Sequence, residues 1–235
     1  ENIAAMVGEP IMGVGGMLVP PDDYWPRVSA LLKKHGILLV FDEVVTAYGR
    51  VGEWFAAQHF GVEPDIIITA KGITSGYIPL GAVLMSEEVA TELGKDFGFP
   101  MGYTYNGHPT AAAVALENIR VIEEEGLLDQ AKKIGEYLHN GLRELLDLPI
   151  VGEVRFVGMM HAVELVSDKE TRAPLPMLQP MLPDVIRRES GVIVRDCGHN
   201  LVLSPPLIMT EEEADRCVAA MRAVLERTTP DGVIH

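Results

Sequence analysis

ILLVFDEVVTAYGRVGEWFAAQHFGVEPDIIITAKGITSGYIPLGAVLM, residues 37–85, decides the fold. Three short runs within it, 37–41, 66–69 and 82–85, are apolar, rich in β-branched residues and bounded by Gly, Pro and Asp. Such runs read as strands buried on both faces of a parallel sheet. Two of them lead into ionisable residues: Asp42-Glu43 follow Phe41, and Lys71-Gly72 follow Thr69-Ala70. Ligands of open α/β sheets lie beyond the carboxyl ends of the strands, so an acid and an amine at two such ends can face one crevice. A lysine at an apolar strand end can lose its proton through desolvation, which an imine-forming amine needs. A nearby aspartate is what pyridoxal phosphate (PLP) requires to keep its ring nitrogen protonated, so that the ring acts as an electron sink. Taken singly, Asp42 is a helix cap and Lys71 a solvated surface charge, the commoner fates of such residues.

LLVFDE also looks like the acidic strand of a P-loop ATPase, but that chemistry needs G-x-x-x-x-G-K-[ST] to cradle phosphates. The Gly-Lys pair at 94–95 is followed by Asp96 and lacks the leading glycine, so nucleotide hydrolysis fails within this chain. Gly13-Val14-Gly15-Gly16 misses the dinucleotide pattern G-x-G-x-x-G, because Leu18 stands at its last position. Nineteen basic residues against 34 acidic ones leave a net charge of −15, which disfavours nucleic acid and anionic membranes as partners. No apolar run approaches the length of a membrane span. Two cysteines, Cys197 and Cys217, are too few for a disulfide framework and make a reducing cytoplasm the default expectation. The seven histidines show neither H-E-x-x-H nor zinc spacing with cysteine, so no metal is expected.

FDEV, then TAKG, then GYIPLGAV, with 29 residues (71 − 42) from Asp42 to Lys71, resemble the core of the class III aminotransferases, nearest to their ω-amino acid or amine:pyruvate branch. The resemblance runs from VGEP at Glu9 to SPPLIMTEEE and so covers nearly the whole chain. It implies an α/β fold of the fold-type I PLP-dependent transferases: a mostly parallel sheet in a large domain, with a smaller α+β C-terminal domain. Residues 1–107 would be part of the large PLP-binding domain, and 108–235 the interdomain helix and small domain. It further implies transamination from an amine or ω-amino acid to a keto acid such as pyruvate. Relatives of the family also decarboxylate or move amino groups within one molecule, and a fragment or partner chain could fold without catalysis.

The same resemblance assigns roles residue by residue. Lys71 holds PLP and is catalytic, Asp42 pairs with the ring nitrogen, and Val44 packs on one ring face. Glu9, by itself a loop charge, joins the polar network behind the ring. Thr104, in YTYNGHP and 33 residues (104 − 71) beyond the lysine, binds the PLP phosphate of the neighbouring subunit, so that the active site is built only in a homodimer. Arg195 reaches the substrate carboxylate, which its planar fork matches bidentately. The family's Gly-Ser-x-x-Asn-type phosphate loop and ring-stacking aromatic precede the VGEP strand and are missing here. The opening on Glu1 and directly into an apolar strand at 3–7 fits a chain that continues upstream. One departure stands out: Phe156 follows Arg155 where the family usually has glycine, which could alter local backbone shape.

Periodicity predicts helices over 21–35, 53–60, 86–93, from about 108 to 121, over 127–146 and 182–189, and after Thr210, whose spacing to Glu213 is that of a capping box. Strands are expected at 151–157, 160–166 and 191–194, the first two in an antiparallel sheet. Residues 97–107, with Phe97, Phe99, Tyr103 and Tyr105, read as an irregular aromatic loop, and 171–183 as a Pro- and Met-rich one.

Overall fold

The computed structural model describes residues 2–95, 98, 101–176 and 179–235. Phe97, Phe99 and Pro100 of the expected aromatic loop, and Met177 and Leu178 of the Pro- and Met-rich one, lie outside the described residues. The chain divides into two units: Glu1–Ile11 with Pro20–Leu128, and Met12–Val19 with Asp129–His235.

The first unit runs β1 (Ala5–Gly8), α1 (Tyr24–Lys34), β2 (Leu38–Asp42), α2 (Ala56–His59), β3 (Ile66–Thr69), β4 (Ala82–Met85), α3 (Glu87–Gly94) and α4 (Pro109–Glu124). Its strands form one sheet in the order β1-β2-β3-β4. β1 and β2 are parallel, with Gly8 opposite Phe41, and β2 and β3 are parallel, with Asp42 opposite Ile68. β4 is antiparallel to β3, which corrects the expectation of a third parallel strand. Only a 3₁₀ turn, Lys71–Thr74, lies between them, and a parallel return needs a crossover long enough to carry the chain back, usually through a helix. Burial on both faces holds for Leu39, Val40 and Phe41 of β2, whereas Val83 and Leu84 of β4 are exposed.

Trp25 anchors α1 to the sheet: its indole N–H donates to the Pro10 carbonyl at 2.9 Å, and its ring meets Phe41 edge-on at 4.6 Å. Leu31 of the same helix faces solvent. Ser86 caps α3 by accepting the Val89 N–H, and the helix begins as the sequence indicates. α4 groups with the first unit. Asn118 donates to the carbonyls of Gly72 (2.9 Å) and Ile73 (3.2 Å) and accepts from the Ser75 hydroxyl at 2.6 Å.

In the second unit α5 (Leu127–Arg143), which starts at the boundary, is followed by β5 (Val151–Val157), β6 (Met160–Asp168), β7 (Ala173–Pro174), α6 (Leu182–Ser190), β8 (Arg195–Cys197), β9 (Asn200–Leu203) and α7 (Glu211–Leu225). The sheet order is β5-β6-β9-β8, with β7 on β6, and every pair is antiparallel. Ile134, Leu138, Leu142 and Leu145 supply the expected helical stripe and pack into one core with Val163, Leu201, Met221 and Leu225. Residues 191–194 form no strand: Gly191 closes α6 at φ 75°, and the Val192 N–H turns back to the Ser190 hydroxyl. Thr210 and Glu213 form the capping box of α7 reciprocally.

Arg155 ties Met12–Val19 to this unit. Its guanidinium, largely buried, donates to Glu153 (2.7 Å), Glu164 (2.9 Å), the Asn200 amide oxygen (2.6 Å) and the Gly16 carbonyl (2.7 Å). Gly16 has φ 99°, and a Cβ there would stand 2.5 Å from the Asn200 amide. Phe156 leaves the strand regular, paired with His161, and stacks on the His139 ring at 3.8 Å. The departure from the family pattern fills a space between rings and does not bend the backbone.

Candidate active site

β1, β2 and β3 end at the same edge of their sheet because all three are parallel. The register fixes what meets there. Glu9 follows Gly8, the partner of Phe41, and so comes level with Asp42. Lys71 lies three residues beyond Ile68, the partner of Asp42. Glu9, Asp42 and Lys71 therefore issue from three neighbouring strand ends.

The backbone at Lys71 is unusual. Its φ is 44°, in the left-handed region that non-glycine residues rarely occupy, and Tyr48 beneath it has φ 57°. Such conformations cost on the order of 1–3 kcal/mol each and persist where surroundings impose them. The surroundings here are visible. Gly72 lies against Tyr48 and Ala47: a Cβ at Gly72 would stand 3.1 Å from the Tyr48 Cβ and 3.3 Å from the Ala47 carbonyl. The Tyr48 hydroxyl and the buried Thr69 hydroxyl are 3.3 Å apart, and Asn118 holds the carbonyls of Gly72 and Ile73 from the other side. The Lys71 side chain is exposed, and its ammonium makes no ion pair among the described residues. The desolvation expected at an apolar strand end is thus not provided by them.

Asp42 is half-buried. One of its oxygens accepts the Val44 N–H at 3.1 Å, an Asx-type turn that places Val44 just past the strand end. The other makes no hydrogen bond among the described residues. The side chain of Glu43, next in sequence, is turned to the interior. It is fully buried and accepts from the Ala56 N–H (2.6 Å), the Ala57 N–H (2.9 Å) and the Thr46 hydroxyl (2.9 Å). Residue 55, at the N-cap of α2, is phenylalanine and has no polar atom to offer, so Glu43 satisfies the first amides of that helix. Burial pushes the Glu43 carboxyl above its ordinary value despite these three donors. Burial also pushes the Arg50 guanidinium down to about 10, which leaves it charged at neutral pH.

Thr104 lies exposed in the turn before α4, where the Asn106 N–H bonds to the Tyr103 carbonyl. Arg195 is exposed on β8 of the second unit, opposite Val202. Glu9, Asp42, Val44 and Lys71 are thus gathered at one sheet edge by pairing alone. Glu43, Tyr48 and Asn118, which hold that edge in shape, carry no sequence pattern that singles them out.

An uncommitted amine and an uncommitted carboxylate oxygen at adjacent strand ends fit PLP, whose aldehyde takes an amine and whose ring nitrogen offers an N–H. Comparison with known proteins agrees. Residues 1–225 match the family described as aminotransferase class-III. The chain belongs to that family. It is 43% identical over 233 residues to a putrescine–pyruvate aminotransferase of Pseudomonas aeruginosa, covering 97% of this chain and 50% of that protein. It is 38% identical to gamma aminobutyrate transaminase 3 of Solanum lycopersicum, covering 97% and 45%. Among solved structures, an (S)-enantioselective omega-transaminase from Thermomicrobium roseum superposes with a TM-score of 0.89 at 46% identity, covering 93% of this chain and 50% of that one. An amine transaminase from an uncultivated Pseudomonas species, in its PLP-bound form, gives 0.90 at 45% identity, with coverages of 95% and 52%. The chain spans about half the length of the relatives it matches. This class-III aminotransferase chain therefore has the α/β fold of the fold-type I PLP enzymes, and PLP is the cofactor of its family. Among the described residues no helix is long and apolar enough to cross a membrane, and no His, Cys, Asp and Glu side chains cluster as a metal site.

Proposed function

We propose that this chain carries the catalytic lysine and the ring-nitrogen acid of a PLP-dependent transaminase. The enzyme would move an amino group from an amine or ω-amino acid to a keto acid such as pyruvate. The observation that supports this most directly is the meeting of an uncommitted Lys71 amine and an uncommitted Asp42 oxygen at adjacent ends of parallel strands. When bound, PLP supplies an electron sink for the negative charge left on the substrate carbon.

The remaining work falls to side chains. Asp42 keeps a proton on the ring nitrogen by offering it a carboxylate oxygen, and Val44 packs against the ring. Lys71 would take a proton from the substrate carbon and deliver it to the carbon on the other side of the nitrogen, a transfer typically worth roughly 10²–10⁴-fold. Its exposed amine reaches out from a backbone fixed by Tyr48, Gly72 and Asn118, so the proton acceptor is held in place before substrate arrives. Glu9, level with Asp42, belongs to the polar network behind the ring. Arg195 takes the substrate carboxylate. Thr104 binds the cofactor phosphate of a second subunit, which makes the functional unit a homodimer with shared sites, and the working compartment is the cytoplasm.

The test is chemical labelling of the lysine. PLP added to the enzyme and fixed with borohydride is expected on the peptide containing Lys71, and Lys71→Ala should lose the label, the visible absorption of bound PLP and amine:pyruvate turnover. Label on another lysine with turnover retained in Lys71→Ala would refute the assignment.

A further inference from the structure

The segment 43–48 runs from Asp42 to the backbone beneath Lys71, and Glu43 is its root. Every polar group of residue 43 is committed. Its N–H donates to the Ile68 carbonyl at 2.9 Å, which extends the β2–β3 ladder one residue past Asp42, and its carbonyl accepts the Ala47 N–H at 3.2 Å. Its carboxylate takes the Thr46 hydroxyl as well as the first amides of α2. Thr46, Ala47 and Tyr48 are all buried. At the far end the Tyr48 N–H is pinned on the Trp54 carbonyl at 2.7 Å, and the Tyr48 Cβ and Ala47 carbonyl lie against Gly72, the residue after Lys71. Asn118 grips the same turn through the Gly72 and Ile73 carbonyls. Capping α2 accounts for the bonds to Ala56 and Ala57 alone; those to Thr46 and Ala47 close the segment on itself. Any change in its span breaks a buried hydrogen bond, and a buried group left unpaired is costly.

We propose that Glu43 is a positioning residue for the transaminase reaction, fixing through segment 43–48 the placement of Asp42 relative to Lys71. The proposal rests on the reading of Asp42 and Lys71 given above. Those two residues serve opposite ends of one rigid cofactor, the ring nitrogen and the aldehyde, so the ligand cannot absorb a change in their spacing. Glu43, fully buried, acts only through the segment.

The test uses the active enzyme loaded with PLP, each variant shown by circular dichroism to be folded at the assay temperature. Glu43→Ala should lower kcat by roughly 100-fold, the scale of a small misplacement of reacting groups, with a smaller change in KM. It should also shift the pH at which the visible absorption of bound PLP changes, while borohydride still fixes PLP on Lys71. Glu43→Gln, which keeps one acceptor, should lose roughly tenfold, the share of a single hydrogen bond, and decides the matter alone if the alanine variant does not fold. Asp65→Ala is the comparison for stability without position. It strips the Leu39 N–H of its acceptor, 2.7 Å away towards the opposite end of β2, and should lower the unfolding midpoint but keep kcat and the absorption. Unchanged kcat and absorption in both Glu43 variants, with Lys71 labelled, would overturn the positioning role and leave the transaminase reading standing. Equal losses of kcat in Asp65→Ala and Glu43→Ala would overturn it too. Label on another lysine in the unsubstituted enzyme would instead remove the transaminase reading, and this proposal with it.

Discussion

Glu43→Ala tests whether the strand-end site is held in shape from within. The substitution removes the acceptor of two backbone amides, Ala56 and Ala57, both on buried residues, and of the Thr46 hydroxyl. A buried donor left without a partner costs about 1–3 kcal/mol, so the two amides together lose about 2–6 kcal/mol. Against this stands the relief of a buried carboxylate, whose raised pKa shows that burial outweighs the donors. A net loss of about 3 kcal/mol at neutral pH is expected. Both tryptophans, Trp25 and Trp54, lie in the first unit, so urea unfolding followed by their emission reports that unit alone. The pH dependence sharpens the prediction. Because the folded-state pKa of Glu43 is raised, its contribution to stability is fully present below the ordinary value of 4.5 and is lost as pH rises through the folded value. The deficit of the alanine variant should therefore widen as pH falls from 7.5 towards 4.5. Glu43→Gln, which cannot titrate either but keeps one acceptor, should lose less at every pH, and its deficit should widen in acid by the same amount as that of the alanine variant. A deficit below about 0.5 kcal/mol, within the ordinary range for surface substitutions, would refute the capping role. A deficit that shrinks in acid would refute the dominance of burial.

Three further outcomes follow from the second unit. Arg155→Ala should cost about 3 kcal/mol, the lower end for breaking a buried pair because Glu164 keeps Arg172, and should raise amide hydrogen exchange at 16–18 and in β5, β6 and β9. Arg155→Lys should recover little, since an ammonium cannot reproduce the fork; full protection in either variant would contradict the tether. Burial pushes the Cys217 thiol up to about 11, so a thiol reagent at pH 8 should modify Cys197 in the folded protein and Cys217 only after denaturation; equal rates would contradict this. In the active enzyme Arg195→Ala should reduce turnover of pyruvate-like acceptors by roughly 10–100-fold and spare simple amines; equal losses for both would contradict a carboxylate role.

Much of this was legible in the chain. Strand ends at Asp42 and Lys71 follow from apolar runs halted by charge, and the helices of the second unit follow from a leucine stripe and the Thr210 box. What stayed hidden depends on contacts remote in sequence. The direction of β4 is set by the connection and not by its composition, since AVLM reads alike in either sense. Glu43 looks like a second surface acid until α2, thirteen residues on, presents its amides. Asn118 binds α4 to the turn that carries Lys71, yet it is an ordinary helix residue until its carbonyl partners are known. Likewise nothing in the stretch Met12–Val19 announces that an arginine more than a hundred residues later grips its backbone.

The left-handed backbone at Lys71 has a consequence for how the site tolerates change. On the proposed function, a lysine held at φ 44° is a local misfit kept for its amine rather than for the fold. Glycine and asparagine suit that backbone better than lysine or alanine does. Replacing the most indispensable side chain of the site by either should therefore make the chain hardier while silencing it, by about 1 kcal/mol. If Lys71 is the catalytic lysine proposed above, selection for thermal robustness alone would drift towards such a dead, sturdier sequence, and only selection for turnover would keep the lysine where the backbone least accommodates it.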